Sequence, residues 1–213
     1  MLLYYITDRT QFSPGDSVDA DRVRRSRLLT NIEAACTAGV DVIQLRERDL
    51  PARELEALAS QIVEIASRHN RDTRVLINSR TDVAISSGAH GVHLRSNDIL
   101  ANDARAVLPK TTGSKFIVSV ACHTVREVEL ATHYGADFIV FGPVFGKPGV
   151  APAGLETLQI ACKAANGIPV LALGGVGQEN ARLCIAAGAA GIAGIRLFQN
   201  FQIRETVEQL RSV

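Results

Sequence analysis

The sequence predicts one domain of the α/β class, a (βα)8 TIM barrel, and three observations carry that expectation. First, a helical pattern ends at glycine and leads into an apolar run four times: Ala38-Gly39-Val40-Asp41, Ser87-Gly88-Ala89-His90-Gly91, Tyr134-Gly135-Ala136-Asp137 and Ala187-Gly188-Ala189-Ala190-Gly191. Glycine is the usual stop there, because without a Cβ it enters the left-handed region at little cost. Second, the runs that follow are short and rich in β-branched residues, as buried parallel strands are: Val42-Ile43, Val92-His93-Leu94, Phe138-Ile139-Val140-Phe141 and Ile192-Ala193-Gly194-Ile195. Third, 213 residues suit one barrel near the small end of its range. No linker, charge block or low-complexity stretch divides residues 1–213, which are read as a single domain.

Taken in order, strand one is expected at residues 2–6, the apolar LLYYI. The connection at 12–27 is polar and basic, contains Pro14-Gly15 and is long for a first strand-to-helix link, so an irregular segment is expected there, a mobile flap or a short extra helix. Strand two is expected at 41–46. Residues 51–69 then set Leu55, Leu58, Ile62 and Ile65 at three-four spacing behind Pro51, an amphipathic helix. Strands three, four and five are expected at 74–78, 91–94 and 116–121. Thr124-Val125-Arg126-Glu127 has the form of a capping box that opens the next helix. Strand six (138–142), a helix at 154–165, strand seven (169–173), a helix at 178–187 and strand eight (191–195) complete the ring.

Composition narrows the class of function. Lys and Arg number 23 against 22 Asp and Glu, so no field favours nucleic acid or a membrane surface as partner. No apolar run is long enough to span a bilayer, and MLLYYITDR lacks the basic leader of a signal peptide. The four cysteines show no CxxC spacing; Cys36, Cys162 and Cys184 lie in alanine-rich helical windows, where a thiol serves as a small apolar filler. A reduced, cytoplasmic protein is expected.

A barrel of this kind builds its active site at the carboxyl ends of its strands, so the residues delivered there matter most. Strand seven ends in Gly174-Gly175, which lets backbone amides approach a ligand, and strand eight adds Ile195 and Arg196. That pair of loops commonly cradles a phosphate; the competing reading is that the two glycines only turn the chain. Gln44, Arg46 and Arg48 alternate along strand two and so face one side, where the arginines suit a second anion. Their plainer alternative is an ion pair with Glu47 or Asp49 at a solvated rim. Two anion sites in one mouth suit a diphosphate plus a phosphate, or one bisphosphate.

Asp98, four residues past strand four, is a candidate ligand for magnesium bridging diphosphate oxygens, and equally a cap for a helix beginning near Ile99. Asp8 is a weaker candidate, and no spacing for zinc is present. His93 is expected to pack within its strand, and His123, at a strand end, to hydrogen-bond a ligand. Neither has a visible triad partner, so nucleophilic catalysis is not indicated. The loop Gly146-Lys147-Pro148-Gly149 is expected to close over the mouth and bring Lys147 to the anion.

Several stretches, in this order, are similar to the thiamine-phosphate synthase family and its sister branch, the TenI-type thiazole tautomerases. They are Tyr5-Ile6-Thr7-Asp8, Gln44-Leu45-Arg46-Glu47-Arg48, Leu76-Ile77-Asn78, Gly91-Val92-His93-Leu94, His123-Thr124, Phe141-Gly142-Pro143-Val144-Phe145 and Gly174-Gly175-Val176. The resemblance implies a transferase of thiamine biosynthesis that joins 4-amino-5-hydroxymethyl-2-methylpyrimidine diphosphate to thiazole phosphate and releases diphosphate. It implies that Gln44, Arg46, Asn78 and Asp98 hold the diphosphate and magnesium, that Arg48 stands where lysine is usual, and that Gly174, Gly175, Ile195 and Arg196 surround the thiazole phosphate. Small phosphorylated thiazole and pyrimidine ligands are therefore the expected partners. The chain departs from the synthase pattern at Ser79 (usually a metal-binding aspartate), Arg95-Ser96 (usually Gly-Gln), Ala121 (usually serine), the short loop at Lys147, and Arg196 (usually small). Residues 149–158 look closer to the tautomerase branch, yet Pro143 stands where that branch carries its acid/base histidine. A tautomerase, or a non-catalytic binding or regulatory protein for thiamine phosphate or thiazole phosphate, are the alternatives.

Overall fold

The computed structural model describes residues 1–13, 15, 19–108, 116–146, 149–200 and 202–213. Eight parallel strands close into a barrel in chain order: β1 (Leu2–Ile6), β2 (Val42–Leu45), β3 (Arg74–Asn78), β4 (Gly91–Leu94), β5 (Ile117–Cys122), β6 (Phe138–Phe141), β7 (Val170–Leu173) and β8 (Gly191–Gly194). Closure comes from β1, whose Tyr4 pairs with Val42 on one side and Ala193 on the other. The helices α1 (Ala20–Ala38), α2 (Ala52–His69), α3 (Thr81–Ser86), α4 (Ala101–Ala106), α5 (Val125–His133), α6 (Gly154–Ala164), α7 (Ala181–Ala186) and α8 (Ile203–Arg211) follow the strands one by one.

Strand periodicity sorts the apolar residues into two layers. Tyr4, Ile6, Val42, Leu76, Val140, Leu171 and Ala193 fill the barrel interior, while their neighbours in sequence, such as Leu3, Tyr5, Ile43, Val75 and Ile77, pack outward against the helices. Both faces are buried, which is why the strands read as continuous apolar runs rather than as alternation. In α2, Leu55, Leu58 and Ile62 form the buried stripe that the spacing predicts, each removing from water a side chain worth about 2 kcal/mol. The capping box at Thr124 and Glu127 is formed in both directions.

Apart from shifts of one residue at element ends, the elements differ from the sequence expectation in four places. Strand β2 stops at Leu45, so Arg46 and Arg48 stand in the turn after it and strand alternation does not set the side they face. Helix α1 begins at Ala20, with the Asp19 carboxylate accepting from the Arg22 amide, so the later part of the expected irregular stretch 12–27 is helix; Arg9–Gln11 forms a short 3-10 turn just before that stretch. Helix α7 starts at Ala181 rather than at 178, because the Asn180 side chain accepts from the Gly177 amide and donates to the Gly175 carbonyl, holding a turn ahead of the helix. Helix α4 starts at Ala101 with Leu100 at its N-cap, so Asp98 is not its cap.

Cys36, Cys122 and Cys184 are buried and Cys162 is half-buried, and burial pushes their thiols up to about 11 or 12, which suits fillers. Among the described residues, no helix is long and apolar enough to cross a membrane.

Candidate active site

Inward-facing positions at the carboxyl ends of β2, β3 and β4 meet in one hydrogen-bonded chain. The Gln44 amide nitrogen donates to Asn78 Oδ1 (2.9 Å), Asn78 Nδ2 donates to the Ser79 hydroxyl (3.1 Å), and that hydroxyl donates to Asp98 Oδ2 (2.6 Å). Ser79 adopts a left-handed backbone (φ 61°), uncommon for a residue with a side chain, and its amide is fixed to the His93 carbonyl. Gln44 Oε1 is buried and has no partner within the chain. Asp98 is further gripped by Arg95, whose backbone amide donates to Oδ2 (2.8 Å) and whose guanidinium donates to Oδ1 from Nη2 (2.8 Å) and Nε (3.1 Å). The Ser79 and Arg95 contacts hold the Asp98 carboxyl below its ordinary range, although burial opposes them.

The arginines of the β2 end stand free for a reason the sequence did not expose. Glu47 and Asp49, their candidate partners, belong to Arg9. The buried Arg9 guanidinium pairs with Glu47 (3.2 Å), Asp49 (2.6 Å) and Asp21 (2.8 Å), and Glu47 also accepts from the Thr7 hydroxyl at 2.6 Å. That hub ties β1, β2 and α1 together and engages the carboxylates of Glu47 and Asp49. The side chains of half-buried Arg46 and exposed Arg48 form no hydrogen bond or ion pair with any other described residue. Burial, then the neighbouring Arg48 charge, lower the Arg46 pKa, against a raising pull from Asp8 and Glu47.

Across the mouth, the amides of Gly175, Val176, Ile195 and Arg196 donate to no acceptor among the described residues, and the exposed Arg196 side chain is also unpartnered. The glycine pair has a packing duty as well. Gly174 and Gly175 have φ of 95° and 65°, and a Cβ would lie 2.5 Å from Pro143 Cβ at the first and 2.7 Å from Phe145 Cβ at the second. The loop after β6 lies directly on them, Val144 and Phe145 donating to the carbonyls of Leu173 and Gly174. The pair therefore turns the chain and makes room for the loop after β6, and its outer amides are left without an acceptor among the described residues.

His93 is buried inside the barrel, its Nδ1 3.1 Å from the Tyr4 hydroxyl and 3.0 Å from that of Ser119, and burial pushes its pKa down to about 3. It is a neutral packing group, as expected. His123 follows β5; its Nδ1 meets the Gly142 carbonyl, which can only accept, so that nitrogen carries a proton, and Nε2 has no hydrogen-bond partner among the described residues. Lys147 lies outside the described residues.

Magnesium fits this donor set poorly. Among the described residues no three His, Cys, Asp or Glu side chains gather as a metal cluster. Asp98 is already shared between Ser79 and Arg95, Glu47 and Asp49 are held by Arg9, and Asp8 accepts from Thr10 and Gln11. Sequence reasoning saw Asp98 but not its partner, although Arg95 and Asp98 at i and i+3 in a loop were the available signal.

Comparison with known proteins bears on the family and the fold. The family model described as thiamine monophosphate synthase matches residues 15–198. The chain is 36% identical over 199 residues to the thiamine-phosphate synthase of Roseiflexus sp., covering 90% of this chain and 75% of that one. It is 33% identical over 216 residues to the thiamine-phosphate synthase of Caldanaerobacter subterraneus, covering 99% and 92%. Among solved structures, the thiamine phosphate pyrophosphorylase of Pyrococcus furiosus superposes with a TM-score of 0.81 at 27% identity, over 99% of this chain and 94% of that one. With 184 of its residues inside the family model and the closed eight-stranded barrel shared with that relative, the chain belongs to the thiamine monophosphate synthase family.

Proposed function

We propose that the protein is a thiamine-phosphate synthase, joining the pyrimidine methyl diphosphate to thiazole phosphate with loss of diphosphate. One observation carries the reading: a single mouth offers unpaired arginines on the β2 side and unpaired backbone amides on the β7–β8 side, two anion holders for two phosphorylated substrates. The C–O bond to diphosphate breaks, the methylene cation left on the pyrimidine is captured by the thiazole nitrogen, and a C–N bond forms. No strong base is required.

Arg46 and Arg48 stabilise the charge that grows on the departing diphosphate, a contribution made larger at Arg46 by its partial withdrawal from water. Gly175, Val176, Ile195 and Arg196 hold the thiazole phosphate and so fix its ring nitrogen toward the carbon under attack. Gln44 gives one of its two amide N–H donors to Asn78 and keeps a second donor beside its unpartnered acceptor oxygen, so it can meet a phosphate oxygen or an N–H of the aminopyrimidine. His123, at the end of strand five, and Lys147, in the loop after strand six, are assigned to the diphosphate side from their places in the sequence. A tautomerase must move a proton on the thiazole, and Pro143 has none to move and is seated over Gly174.

The test is direct. Incubation with both substrates should yield thiamine phosphate, detected by conversion to a fluorescent thiochrome. Tight binding of thiamine phosphate with no product formed from the two halves would instead make this a binding protein.

A further inference from the structure

We propose that this mouth holds its leaving anion without a divalent metal, the Arg95 guanidinium standing on Asp98 where a metal would otherwise sit. The inference rests on reading the mouth as a diphosphate site, but its test needs no turnover.

A magnesium ion bridging a protein carboxylate and phosphate oxygens needs at least one carboxylate free to turn toward it. Here the carboxylates of Asp8, Glu47, Asp49 and Asp98 are all engaged. Asp98 is the one joined to the strand ends, through Ser79 and Asn78, and both of its oxygens already accept charge-assisted or hydroxyl hydrogen bonds. A dication drawn to Asp98 would have to displace the guanidinium or sit against it. Ser79 does not help, because its hydroxyl is neutral and gives its proton to Asp98.

The replacement keeps the geometry of a bridge. A guanidinium has five donors in a plane, and Arg95 uses Nε and Nη2 on Asp98, leaving Nη1 without a partner among the described residues. Its side chain is 56% exposed while that of Asp98 is 12% exposed, so the carboxylate is covered and the cation lies open to solvent at the β4 end. An anion approaching from solvent meets a guanidinium oriented from behind, as it would meet a metal on an aspartate. Together with Arg46 and Arg48, that supplies three cations to neutralise a diphosphate.

Two titrations of the intact chain decide it. Inorganic pyrophosphate, followed by calorimetry, should bind wild type equally well in EDTA and without it, and Arg95→Ala should weaken it about tenfold, as losing a hydrogen bond to a charged group does. Manganese alone, followed by electron paramagnetic resonance, should show no saturable site in wild type below millimolar concentration. The double change Ser79→Asp with Arg95→Gly should create one. A saturable manganese site in wild type that Asp98→Asn removes would overturn the proposal, as would pyrophosphate binding abolished by EDTA or unchanged in Arg95→Ala. Absence of thiamine phosphate synthesis would count against the reaction and leave both titrations standing.

Discussion

His93 shows how one buried residue writes itself into the behaviour of the whole chain. Its imidazole is set between the Tyr4 and Ser119 hydroxyls with its pKa pushed down to about 3 by burial, so the folded protein keeps it neutral. In the unfolded chain it takes up a proton near its ordinary pKa of about 6.5. Between those two values the unfolded state therefore binds one more proton than the native state, and stability falls as the pH is lowered. From pH 6.5 to 5 this one group should remove about 2 kcal/mol. Urea midpoints measured across that range should slope less steeply in His93→Gln than in wild type; equal slopes would mean the imidazole is protonated in the native barrel. The comparison uses slopes because the substitution also disturbs two hydroxyls and lowers stability at every pH.

Between elements, the loop after β6 and the turn after β7 act as one piece. Pro143 and Phe145 occupy the space that side chains at Gly174 and Gly175 would fill, and two backbone hydrogen bonds lock the contact. Gly175→Val forces a branched residue to φ near 65° and against Phe145, so it should cost about 3 kcal/mol in urea denaturation and weaken thiamine phosphate binding with it. Loss of affinity at unchanged stability would show that the amides alone matter. The sequence announced these glycines, and with them the strands and most helices, because helix stops and buried strands are local patterns of spacing and residue type. It could not announce what the glycines make room for, since Pro143 and Phe145 arrive from another strand. The Arg9 hub was hidden for the same reason: its partners Asp21, Glu47 and Asp49 come from α1 and from beyond β2, and nothing near Arg9 in sequence marks it as buried. What remained legible of the site was residue type at strand ends, namely Gln44, Arg46, Asn78 and Asp98; which of them are free and which are spoken for depends on contacts across the barrel.

The closed ring as a whole sets the two proposed anion holders apart, with β1 standing between the β2 end and the β8 end. Arg46 and Arg196 therefore reach the mouth from separate strands and share no hydrogen-bond partner among the described residues. Groups that touch different parts of a ligand, and not each other, contribute independently to its binding. If the mouth takes one phosphorylated substrate on each side, Arg46→Ala should weaken inorganic pyrophosphate and leave thiazole phosphate nearly unchanged, and Arg196→Ala should do the reverse. Each loss should be about tenfold, the effect of one charge-assisted hydrogen bond. Calorimetry with the two ligands singly tests the assignment, and the double variant tests the independence: with both ligands present its losses should equal the sum of the single ones in free energy. Both variants weakening the same ligand would mean that one anion spans the ring, and the mouth would then be a bisphosphate site rather than a place where two phosphorylated molecules meet.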